Sequence, residues 1–151
     1  MRELYCDKAT WGQTLVGISS RTDQPEWARE LLKKFTITIH KDDEGRNDAE
    51  TFAMTDVMKG PMEIKQDSKV RHFERIAAQT GVDMKDILFF DNERGNCNDI
   101  AKLGVVVVYS PDGVTSQLWE SALKAFPGAS GQVLGWDVAP DYDSDHRRTQ
   151  W

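Results

Sequence analysis

The sequence predicts an α/β domain built on a parallel sheet, and three observations carry that expectation. Short apolar runs alternate with segments of helical periodicity through most of the chain. One run, Ile87-Leu88-Phe89-Phe90, passes directly into Asp91-Asn92-Glu93. A buried strand that delivers polar groups to the carboxyl end of a sheet has this pattern. Another, Gly104-Val105-Val106-Val107-Val108-Tyr109, is a continuous β-branched run and reads as a second buried strand.

The other elements follow in order. Thr14-Leu15-Val16-Gly17-Ile18-Ser19 reads as a short strand slightly weakened by Gly17. Asp23, with Glu26 three residues later, resembles a capping box, and Pro25 is tolerated in a first turn. Trp27, Ala28, Leu31, Leu32 and Phe35 then share one helical face, which places Trp27 in the core. Phe35 to His40 alternates with period two, as a half-buried strand does. Lys41 to Asp56 is polar and reads as an exposed loop or insertion.

A helix runs from about Ser68 to Thr80, with Val70, Phe73, Ile76 and Ala77 inward and Gly81 as its C′ residue. Cys97, Ile100 and Ala101 mark a short helix, and Pro111-Asp112-Gly113 a turn. Leu118, Trp119, Ala122, Leu123 and Phe126 define a last amphipathic helix. Periodicity fades after Pro127, so residues 128–151 are expected to form a mobile tail behind one domain, 1–127.

With 151 residues, the chain has room for one modest core. Its net charge of −6 argues against a general nucleic-acid binder, though not against a small basic pocket. No window approaches the roughly 18 apolar residues of a membrane span, and no apolar signal region opens the chain. Cys6 and Cys97 lack metal-ligand or redox spacing, which suits a reducing, cytoplasmic setting.

Three short elements could carry chemistry. Ser20, Arg21 and Thr22 lie between a strand and a helix N-terminus, where hydroxyls, backbone N–H groups and a guanidinium would cradle an oxyanion. The same residues could simply form a polar turn that caps the helix. Lys69 stands in a first helical turn, where a cation opposes the macrodipole by roughly 0.3–1 kcal/mol. A bound anion would offset that conflict; an exposed lysine would reach water instead. Asp91 closes an apolar run, and a carboxylate there needs a partner such as magnesium, with Asn92 adding a carbonyl ligand. The alternative is that Asp91 and Asn92 cap the next helix.

Ile18-Ser19-Ser20-Arg21-Thr22, Ser68 to Arg75, Thr80-Gly81-Val82, Phe89 to Glu93 and Leu103-Gly104-Val105 occur in one order. Together they resemble the small eukaryotic magnesium-dependent phosphatases of the haloacid dehalogenase (HAD) superfamily, over roughly Leu15 to Phe126. The resemblance implies a Rossmann-like three-layer fold and a magnesium cofactor. It also implies an aspartyl-phosphate mechanism on a phosphorylated protein or small-molecule substrate, such as phosphotyrosine or a sugar phosphate. Ser20 and Arg21 would bind phosphoryl oxygens, Lys69 would neutralise nucleophile and phosphate, and Asp91 and Asn92 would hold the metal.

Two departures stand out. Asn92 replaces the usual second aspartate, and the Asp-x-Asp-x-Thr nucleophile motif is absent. Asp7 has neither an apolar strand before it nor a second acid two residues on. In the family the strand bearing that motif is central, so its loss would open a gap of about 9–10 Å. The sheet must then rearrange, borrow the N-terminal segment or expose unpaired edges. The expectation is a domain incomplete at its N-terminus and inactive as it stands; the alternative is a noncatalytic phosphate-binding or regulatory module.

Overall fold

A computed structural model describes residues 1–39 and 50–136. The architecture is mixed α/β with parallel ladders, as the alternation predicts. The chain divides into two compact units, Met1–Thr80 and Gly81–Trp151, a boundary inside the stretch read as one domain. Gly81 sits at that boundary with φ +72°, a conformation that ends a helix and favours glycine.

The first unit contains α1 (Arg2–Cys6), α2 (Lys8–Trp11), β1 (Ile18–Ser20), α3 (Pro25–Lys34), β2 (Thr36–Ile39), β3 (Glu50–Ala53), β4 (Met62–Ile64) and α4 (Lys69–Thr80). β1 runs parallel to β4, with Ser19 opposite Glu63. β2 and β3 form an antiparallel pair in which Ile39 lies opposite Glu50. Period two sorts this pair: Ile39 and Phe52 are buried, while Thr36, Thr38 and Thr51 face water. Ile39, Phe52 and Val57 make a small core, against which Leu4, Tyr5, Cys6, Val16 and Ile37 pack. Tyr5 stacks on Phe52 with ring centroids 3.8 Å apart, and its hydroxyl donates to Glu50 Oε1 at 2.9 Å. The N-terminal segment therefore supplies helices to this core rather than a borrowed strand.

Several expectations change here. The polar stretch 41–56 is not one loop: Glu50–Ala53 is a strand and Met54–Asp56 a 3₁₀ turn, anchored by the single aromatic Phe52. Residues 40–49 lie outside the described residues. The first strand starts at Ile18, not Thr14. Asp23 does not cap α3. Gln24 holds that position without a side-chain bond, Pro25 opens the helix, and the Thr22 hydroxyl accepts the Gln24 N–H at 3.0 Å. Trp27 is not a core residue but 73% exposed, because α3 meets its unit through Ala28, Arg29 and Leu32, which are half-buried.

The second unit contains β5 (Leu88–Asp91), α5 (Arg94–Ala101), β6 (Val106–Tyr109), α6 (Ser116–Ala125) and β7 (Val133–Leu134). Its ladder runs β5–β6–β7, all parallel, and every residue of central β6 is buried. Phe90 and Trp119 pack at 5.9 Å, and the Thr115 hydroxyl caps α6 by accepting the Leu118 N–H at 3.2 Å.

The expected tail begins too early. Val133 and Leu134 pair with Val107 and Val108, and Ala129 is buried. Two residues are too few for a sequence pattern, but an apolar neighbour with an open edge suffices to pair them. Residues 137–151, the rest of that tail, lie outside the described residues. The described strands form three hydrogen-bonded groups, β1–β4, β2–β3 and β5–β6–β7, of which the first and third are parallel. No helix among the described residues is long and apolar enough to cross a membrane.

Gly17 is required where β1 begins. A Cβ there would stand 2.6 Å from the Pro61 carbonyl oxygen, a backbone atom that cannot move aside cheaply. Gly17→Ala should destabilise the fold by about 1–3 kcal/mol, read as a lower urea midpoint. Gly95→Ala, where the added methyl meets nothing within 4 Å, should be neutral or stabilise by up to about 1 kcal/mol.

Candidate functional site

Ser20, Arg21 and Lys69 lie in the first unit; Asp91 and Asn92 lie in the second. In the first unit, β1 ends on Ser19-Ser20, and the Ser20 carbonyl accepts the Lys65 N–H at 3.0 Å beyond the end of β4. The Ser20 hydroxyl is half-buried and has no hydrogen-bond partner among the described residues. Arg21 is exposed directly after the strand.

Lys69 opens α4, yet only 7% of it is exposed. Ser68 caps the helix, its hydroxyl accepting the Arg71 N–H at 3.2 Å. A buried ammonium is costly without acceptors, and Lys69 Nζ donates to the Ser19 carbonyl. One turn on, on the same face of the helix, His72 is fully buried, and its Nδ1 lies 3.0 Å from Ser19 Oγ. Lysine and histidine thus hold the same strand residue by its carbonyl and its hydroxyl.

A charged network supports this arrangement. Glu63, opposite Ser19 on β4, accepts from Arg75 Nε at 2.7 Å and pairs with Lys65 at 3.2 Å. Arg75 Nη1 reaches Asp67 at 3.0 Å. Burial pushes the Glu63 carboxyl up, but the hydrogen bonds from Arg75 and Lys65 outweigh it and hold the group below the usual range. The Ser68 N–H, and secondarily Arg75, hold Asp67 down as well.

In the second unit, register places Asp91 opposite Tyr109 at the carboxyl end of β5. Asp91 Oδ1 accepts the Glu93 N–H at 2.7 Å, an Asx turn. The N-cap of α5 is Glu93, so Asp91 and Asn92 do not cap that helix. Asn96 Nδ2 lies 3.2 Å from both oxygens of Asp91 and from Glu93 Oε2. Two carboxylates therefore converge on one neutral amide. Asn92 is exposed, and its side chain bonds to none of the described residues.

Among the described residues there is no group of three or more His, Cys, Asp or Glu side chains suited to a metal. Asp91 and Glu93 still supply two hard oxygen donors beside an amide, the kind of set magnesium uses when waters or phosphate complete its shell.

Sequence reasoning missed His72 and Asn96 as members of these clusters; Glu93, readable there as either a supporting group or a surface acid, joins the second. Asn96 had a signal: a buried amide beside Cys97 and Ile100 on an otherwise apolar face. His72 had none, because a histidine beside Phe73 reads as packing. Arg94 was also missed; it lies over the rings of Tyr109 and Trp136, at 5.2 and 4.9 Å. Asp7 is the N-cap of α2, where it accepts the Thr10 N–H at 3.0 Å; the hydrogen bonds from Thr10 lower its pKa.

A family model described as Acid Phosphatase matches residues 4–128. The chain is 31% identical over 111 residues to Magnesium-dependent phosphatase 1 of Homo sapiens, covering 74% of this chain and 53% of that protein. It is 30% identical over 88 residues to a HAD-like hydrolase superfamily protein of Schizosaccharomyces pombe, covering 58% and 45%. The chain thus spans about half the length of the relatives it matches.

His72 sets a pH dependence. Burial pushes its pKa below the ordinary imidazole value, against the opposing pull of Glu63. A protonated ring would also carry an N–H at Nε2, which has no partner among the described residues. The folded state therefore binds this proton more weakly than the unfolded chain, whose histidine titrates near about 6.5. Its contribution to stability is complete above that pH and is lost as pH falls through it toward the lowered folded value. Urea midpoints should fall from pH about 7 to about 5, and His72→Asn should lack that step.

Proposed function

The chain belongs to the acid phosphatase family, and from that premise we propose that it carries the phosphate-handling parts of a magnesium-dependent phosphomonoester phosphatase of the HAD superfamily. The observation that carries this reading is the burial of Lys69 in the first turn of α4, held on the strand residue next to Ser20. A cation kept out of water beside a serine-bearing strand end is suited to an anion.

In this reading Ser20 and Arg21 donate hydrogen bonds to phosphoryl oxygens, and Lys69 offsets their charge. His72 and Ser19 position that lysine. Asp91 would hold magnesium, with Glu93 and Asn92 as further oxygen donors and Asn96 steadying the two carboxylates. When bound, the ion supplies charge neutralisation at a phosphoryl group. Asn92 offers no charge where a second aspartate would, so magnesium affinity is weaker. The substrate is a phosphomonoester, borne by a protein or by a small molecule. The spacing of Cys6 and Cys97, which fits neither a metal-ligand nor a redox pair, suits a reducing cytoplasmic setting.

The 151 residues contain no Asp-x-Asp-x-Thr, so we assign them no turnover by themselves. The second reading, a noncatalytic phosphate-binding module, is favoured by the same pairing of a missing nucleophile with a retained Lys69. Calorimetric titration with inorganic phosphate should show saturable binding that weakens by tenfold or more in Lys69→Ala, a loss of about 1.4 kcal/mol or greater. Magnesium binding should weaken in Asp91→Asn. Hydrolysis of p-nitrophenyl phosphate should be absent; magnesium-dependent hydrolysis abolished by Asp7→Asn would overturn the assignment, because asparagine preserves the cap.

A further inference from the structure

We propose that α3 is the contact face of a homodimer, in which two copies of this chain pack their α3 helices antiparallel about a two-fold axis at Leu31. Trp27, Leu31 and Phe35 are 73%, 53% and 51% exposed. They stand four residues apart, so they form one stripe along the helix. Single exposed apolar residues are ordinary; an aligned tryptophan, leucine and phenylalanine are not. Aromatic residues are also the side chains that most often anchor an interface. The other side of α3 is already occupied, since the helix meets β3, β4 and the Met54–Asp56 turn.

The order of charges selects a second copy as the occupant. Along Pro25–Lys34 the acids Glu26 and Glu30 precede Lys33 and Lys34; the remaining charge, Arg29 between the two acids, is half-buried on the opposite side of the helix from Leu31. Parallel packing would set like charges opposite each other. Antiparallel packing sets acids against lysines, and it does so twice through one symmetry operation.

The register follows from the helix itself. Trp27 and Phe35 are equally far from Leu31, so an axis at Leu31 brings Trp27 against the partner's Phe35. Glu30 and Lys34 lie on one flank of the stripe. With a rise of about 1.5 Å per residue, the axis leaves Glu30 only about 3 Å along the helix from the partner's Lys34. Glu30 Oε1 accepts from Lys33 within its own helix at 2.6 Å, which leaves Oε2 for the partner.

Sedimentation velocity across a concentration series tests this. The chain should show a monomer–dimer equilibrium. Leu31→Glu should abolish the dimer with an unchanged far-ultraviolet circular dichroism spectrum. Glu30→Lys should raise the dimer Kd by roughly tenfold or more. The double variant, Glu30→Lys with Lys34→Glu, should restore association, a recovery that no loss of folding can imitate. A chain that stays monomeric throughout, a dimer indifferent to Leu31→Glu, or a double variant as weak as Glu30→Lys would overturn the proposal.

Discussion

The arrangement of the first unit depends on one ammonium group. Lys69 is buried at the start of a helix, where both desolvation and the helix dipole oppose a positive charge. Its position is tolerable because α4 is docked so that Lys69 Nζ reaches the Ser19 carbonyl. That contact fixes the first turn of α4 against the end of β1. The helical repeat then carries His72 to the same strand residue, and Arg75, one further turn along, to Glu63 on the neighbouring strand. Helix residues 69, 72 and 75 thus read out one face at successive turns, and each finds a polar partner in the β1–β4 pair.

The second unit solves a related problem with the opposite sign. β6 is buried along its whole length, and β5 is aligned beside it so that Asp91 falls where the apolar stretch ends. Its carbonyl accepts the Ser110 N–H at 2.9 Å, which ties the strand end to the following loop. Its carboxylate is shared among the Glu93 N–H and the Asn96 amide. These two donors fix the direction of the acid, whose oxygens are the kind of donor a hard cation takes.

Much of this was legible because it rests on periodicity. β5, β6, α4, α5 and α6 each announce themselves through apolar spacing, and Ser20, Lys69 and Asp91 sit at element ends that the same spacing locates. What was not legible depends on partners distant in sequence. Glu50–Ala53 looks polar until β2 pairs with it, and Val133–Leu134 needs β6 as a template. Trp27 shows the converse: an amphipathic pattern says that a face is apolar, but not that this chain covers it. The roles of Glu93 and Asn96 depend on the short turn after Asp91, whose geometry no repeat encodes.

The pairing of Ile39 with Glu50 has a further consequence. It sets a buried apolar side chain beside an acid that accepts from the Tyr5 hydroxyl, while the Tyr5 ring stacks on Phe52 two positions further along β3. Deleting α1 would therefore uncover the hydrophobic side of this ladder and take away a donor at its last rung in a single step.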